Sequence, residues 1–168
     1  MIDKSLEDTE KEEKKIIKLI YPKLTHMDFN IGAALHLASK GEGILYNPDP
    51  EAEVKRIKSE ARIILSGLGA DEIFGGYSRY RVAFLRGGFD ELHKEMSFDL
   101  NRLWIRNLGR DDRSITANSK EVRFPFLNRE LIEYVATIKP ELLTNFNMPR
   151  GTGDKILLRS IAEQLGLE

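Results

Sequence analysis

The segment ILSGLGADEIFGGY, residues 64–77, limits the possible folds more than any other stretch of the chain. ARIIL (61–65) is a short apolar run bounded by a glycine-rich turn, the pattern of a buried strand. The run ends in Ser66-Gly67-Leu68-Gly69, and a helix is predicted from near Ala70. Glycines let backbone N–H groups converge on an anion, and a new helix N-terminus adds donors and a partial positive charge. Asp71 and Glu72 share that turn, where carboxylates repel a phosphate unless they hold Mg²⁺ or order a basic neighbour. The plainer reading is a tight strand-to-helix turn whose acids complement the helix dipole. Pattern alone leaves both open.

The rest of the chain is mostly helical. Residues 3–24 mix six acids with six lysines, and Ser5 with Asp8 has the spacing of a capping box. Glu7→Lys11 and Glu10→Lys14 are favourable i, i+4 pairs. Apolar residues thicken only at Ile16, Ile17, Leu19 and Ile20, so residues 1–14 read as a charged tail or helix end. Ile31, Ala34, Leu35 and Ala38 repeat at helical spacing, with a stop at Gly41 or Gly43. YNPDPEAE (46–53) reads as a surface loop. A helical pattern from Ser78 to about Arg106 breaks at Gly87-Gly88, and Phe89, Leu92, Met96, Leu100 and Leu103 then mark one buried face. A polar stretch (109–123) leads to predicted helices over Asn128–Ile138 and Asp154–Leu165. One or two strands among five or six helices predict a helix-dominated α/β fold. A lone strand at 61–65 needs a short partner strand or a covering of helices.

Composition removes several function classes. Lys and Arg total 26 against 27 Asp and Glu, so no global basicity draws the chain to nucleic acid. The absence of cysteine removes disulfides, thiolate metal sites and cysteine nucleophiles. No apolar run approaches the ~18 residues of a membrane span. The acidic N-terminus lacks the apolar core of a signal peptide, and a cytoplasmic setting is expected. His26, His36 and His93 lack metal-ligand spacing, and Tyr77, Arg79, Tyr80, Arg81 and Arg86 read as packing and ion pairs. Arg110, Arg113 and Arg123 either clamp an oxyanion or pair with Asp111, Asp112 and Glu121. For Glu121 and Arg123 the structural role is favoured. Lys155 follows a glycine-rich turn at a predicted helix start, where it either reaches an anion or is simply solvated.

LSGLGADEIFGGY closely resembles a signature block of the asparagine synthetases. MDFNIGAALHLASKGEG (27–43), NLGRDDRSITANSKEVRFPFLNREL (107–131) and GDKILLR (153–159) resemble further segments of that family in the same order. The details are most similar to the divergent asparagine synthetase domain-containing proteins. The resemblance implies that residues 15–168 are a partial synthetase-like domain, the C-terminal part of an adenine nucleotide α-hydrolase-like fold. It implies adenylation of a carboxylate, such as that of aspartate, by ATP with Mg²⁺, and then amidation to asparagine. By resemblance, Ser66, Gly67, Gly69, Asp71 and Glu72 lie beside the nucleotide, Asp71 also beside Mg²⁺. Lys155 and Asp71 are then the catalytic pair, Lys155 facing the phosphates and the developing oxyanion. Asp28 lies in a matched stretch without an assigned role.

The chain also departs from the family. The SGGxDS-type pyrophosphate loop is absent, and Ile2 stands where a glutaminase domain carries its cysteine. Leu68 replaces the glutamate of SGEG and cannot do acid–base work, and Asn128 replaces the Asp of PFLD. The expectation is a portion of a longer enzyme that needs an upstream domain or partner chain. The alternative is a non-catalytic nucleotide-binding or protein-interaction module.

Overall fold

Ser5 accepts a hydrogen bond from the Asp8 amide while Asp8 accepts from the Ser5 amide, and this reciprocal cap starts α1, Leu6–Ile20. The computed structural model describes residues 4–45 and 53–167, so the loop expected at 46–53 lies almost wholly outside the described residues. The chain divides into two units, residues 1–65 with 104–123, and residues 66–103 with 124–168.

In the first unit α1 packs with α2 (His26–Ser39) and α5 (Gly109–Thr116). Helix α1 runs continuously through position 14, and its Glu12 bonds Lys40 at 2.6 Å. The buried face of α2 differs from the expected one: Gly32, Ala33, His36 and Leu37 are buried, while Ile31 and Ala34 are exposed. Gly32 sets this rotation, because a Cβ there would collide with the Ile20 side chain of α1. Buried His36 supports it, with Nδ1 3.1 Å from the Ser114 carbonyl. Helix α5 occupies part of the polar stretch at 109–123 and buries one face, Arg110, Asp111, Ser114 and Ile115. Its Arg110 pairs with Asp28 at 2.7 Å and with Asp111 at 2.8 Å, the ion-pair alternative for Arg110, and all three groups are buried.

Strand β1 (Glu42–Ile44) pairs antiparallel with β2 (Arg56–Lys58), which the sequence pattern did not reveal. Strand β3 (Ile63–Leu65) pairs in parallel with β4 (Glu121–Arg123), the first of the two arrangements expected for it. It is not buried as expected. Ile63 is 49% and Leu65 71% exposed, because among the described residues of its unit no layer covers that face of the two-stranded sheet.

The second unit holds α3 (Ala70–Phe74), α4 (Ser78–Asn101), α6 (Arg129–Ala136), α7 (Pro140–Leu143) and α8 (Ile156–Gln164). Helix α4 breaks at Gly87-Gly88 as predicted, and Leu92 and Met96 join a core with Ile73, Phe74, Tyr80, Val135, Leu143 and Phe146. Asn128 caps α6 through the Leu131 amide, at 3.1 Å, as an aspartate would. Helix α8 starts two residues later than expected, because Lys155 adopts a left-handed conformation and serves as its N-cap. The fold is helix-dominated with small sheets, and no helix among the described residues is long and apolar enough to cross a membrane.

Candidate functional site

The glycine loop and Lys155 meet within the second unit. Ser66 Oγ accepts from the Leu68 amide at 3.3 Å, and the Gly67 carbonyl accepts from the Ala70 amide at 3.2 Å. These bonds fold residues 66–70 into a tight turn. Gly69 has φ +102°, and a Cβ there would lie 2.5 Å from the Leu127 side chain, so conformation and contact both require glycine. Gly67 is different: nothing lies within 4 Å of where its Cβ would sit. Its open face lets a ligand approach the backbone closely.

Helix α3 begins beyond the loop, and the Asp71 carboxylate lies 3.0 Å from Lys155 Nζ. Both side chains are partly exposed, so the pair can exchange its partner for a ligand. Lys155 has φ 54°, a left-handed backbone that costs a non-glycine residue roughly 1 kcal/mol or more. The turn behind it is anchored by Thr144, whose hydroxyl donates to the Gly153 carbonyl at 3.0 Å, and by the Asn145 amide, which donates to that carbonyl at 2.7 Å. Thr144 is fully buried, and no sequence signal singles it out.

Glu72 is buried and accepts from the Tyr77 hydroxyl at 2.7 Å. Burial first, and then this bond to a carboxylate, raise the Tyr77 pKa well above the phenolic range. Tyr77 therefore stays a donor, and the two side chains brace α3 against the turn into α4. Thus Asp71 and Lys155 come together on the accessible side of α3, while Glu72 is enclosed.

The other candidates are engaged elsewhere. Arg110 serves Asp28 and Asp111, Arg113 donates to the Leu19 and Tyr21 carbonyls at 2.7 Å, and Arg123 pairs with Glu121 at 2.7 Å. Arg79 stacks 4.0 Å from the Tyr77 ring centroid and pairs with Asp99, and Arg86 pairs with Glu91 at 3.1 Å. Among the described residues no group of three or more His, Cys, Asp or Glu could hold a metal ion. Asp71 remains as a single carboxylate at the loop. That arrangement suits Mg²⁺ carried by a phosphate ligand, which takes one or two protein carboxylates and fills its sphere with phosphate oxygens and water.

The family model described as asparagine synthase matches residues 53–90 and 85–167. Asparagine synthetase domain-containing protein 1 of Homo sapiens is 42% identical over 167 residues, 99% of this chain and 26% of its own length. The Gallus gallus protein of that name is 40% identical over 168 residues, again 26% of its length. A putative glutamine-hydrolyzing asparagine synthetase of Methanocaldococcus jannaschii is 44% identical over 80 residues, 48% of this chain and 15% of its own length. The chain thus spans about a quarter of the length of the first two relatives.

Proposed function

Because this chain belongs to the asparagine synthase family, we propose that it contributes the glycine-loop and lysine half of an ATP-dependent, carboxylate-activating amide synthesis. The frame is an adenine nucleotide α-hydrolase-like domain in a cytoplasmic protein, with aspartate as the carboxylate and asparagine as the product. Bound ATP with Mg²⁺ supplies the adenylyl group and the pyrophosphate leaving group. The carrying observation is the 3.0 Å Asp71–Lys155 contact at the helix that follows the glycine loop, a loop in which Gly67 has open space where a Cβ would sit.

Each residue then has a physical task. The Gly67 and Gly69 backbone accommodates phosphate at close range. Asp71 holds the Lys155 ammonium in place and offers the metal one oxygen. Lys155 presents a fixed cation to charge that develops on phosphate and carboxyl oxygens, and such fixed charges act most strongly in the transition state. Glu72 and Tyr77 position α3 from within the unit. Leu68 supports a second reading, a nucleotide-binding or interaction module without catalysis, since an aliphatic side chain cannot handle an ammonia proton.

ATP–pyrophosphate exchange with aspartate and Mg²⁺ separates the two. Lys155→Ala is expected to lower exchange by about 10²–10³-fold, with Asp71→Asn lowering it as well. ATP binding by calorimetry without exchange favours the module. Neither exchange nor binding would sink adenylation and nucleotide binding alike, and leave the interaction module.

A further inference from the structure

Gly76, against which the Asp71 carboxylate packs, also lines a cavity of about 120 Å³. That is several times the roughly 10–15 Å³ that one water requires. Ser78, Arg81, Phe146, Arg150 and Asp154 form much of the remaining wall. Arg81 is fixed there: Nη1 donates to the Phe146 carbonyl, and the guanidinium lies 5.2 Å from the Phe146 ring centroid. Its Nη2 is buried without any hydrogen-bond partner. An orphaned cationic donor in a native fold is costly and calls for a ligand.

The surroundings define the ligand's charge. Arg150 is exposed and has no ion-pair partner among the described residues. Asp154 is the acid of the wall, and it is already engaged by the Gly151 amide at 2.7 Å and by Arg159 at 3.3 Å. Helix α4 starts at Ser78 with no side chain capping it, so a hydroxyl and an unshielded helix end add neutral donors. Two guanidinium groups and a hydroxyl offer more donors than the two oxygens of a carboxylate can use. A phosphate, with three or more oxygens, matches them.

We propose that this cavity binds a phosphate group through Arg81 Nη2, Arg150 and the Ser78 hydroxyl. These three ligand residues are distinct from the glycine loop and Lys155, although the cavity wall touches Asp71 through Gly76 and includes Tyr77.

Calorimetry at low ionic strength, with ¹⁵N amide shifts of Ser78, Arg79 and Gly151, tests the assignment using inorganic phosphate, ATP and acetate as probes. Saturable phosphate or ATP binding is expected, weakened about tenfold or more by Arg150→Ala. Among the described residues Arg150 makes no hydrogen bond or ion pair that its removal would break, and Arg81→Lys provides a second variant that keeps the charge but loses the fork. Phosphate binding as tightly as ATP identifies a free anion as sufficient; ATP binding alone identifies a nucleotide-borne group. Either supports the site if it depends on Arg150. No saturable binding, binding indifferent to Arg150→Ala, or acetate binding as tight as phosphate overturns it. Loss of exchange with phosphate binding intact would count against adenylation alone.

Discussion

Arg110→Ala is expected to destabilise the first unit by about 3–5 kcal/mol. For a chain of this size the midpoint of thermal unfolding then falls by roughly 6–20 °C. Arg110 is 4% exposed and is the cation that Asp28 and Asp111 share inside the α2–α5 packing. Removing it leaves two buried carboxylates facing each other. Burial already raises the Asp111 pKa despite Arg110, so its charge is held at a cost even in the intact protein. Circular dichroism melts check the effect, and Arg110→Met combined with Asp28→Asn and Asp111→Asn should recover a large part of the loss. A single-variant midpoint within about 2 °C of wild type would refute the assignment of this triad to stability.

The second large effect belongs to Asp99, whose side chain is 1% exposed. It accepts from Arg79 Nε at 2.8 Å and Arg102 Nη2 at 2.7 Å. Burial raises its pKa, but the bonds from the two arginines outweigh burial and hold it below the usual carboxylate value. The sign follows directly. The stabilisation is present above the ordinary pKa of about 3.9 and is lost as pH falls through the depressed folded value. Asp99→Ala should cost about 3 kcal/mol near neutrality. Urea titrations should show the gap between wild type and variant closing as the carboxylate protonates. A gap that stays constant into strong acid would exclude the ion pairs as its source.

Features fixed by near neighbours were readable in the sequence. The Ser5–Asp8 box, the start of α3 at Ala70 and the break at Gly87-Gly88 each depend on residues within one or two turns. The depth of α5 was not readable, because the partner that makes Arg110 a core residue lies 82 positions away at Asp28. The face of α2 escapes the sequence for a related reason: apolar periodicity favours Ile31 and Leu35, whereas close approach at Gly32 and the bonding of His36 decide the packing. At the candidate site, residue types identified the loop and Lys155. Their 3.0 Å contact and the Thr144 anchor required the tertiary fold.

The left-handed backbone of Lys155 bears on how this position responds to selection. Glycine would relax the main chain there and remove the ammonium in the same step. Screens for heat resistance and for phosphate chemistry should therefore enrich opposite residues at position 155. The site's most exacting cation stands where the scaffold alone would keep no side chain.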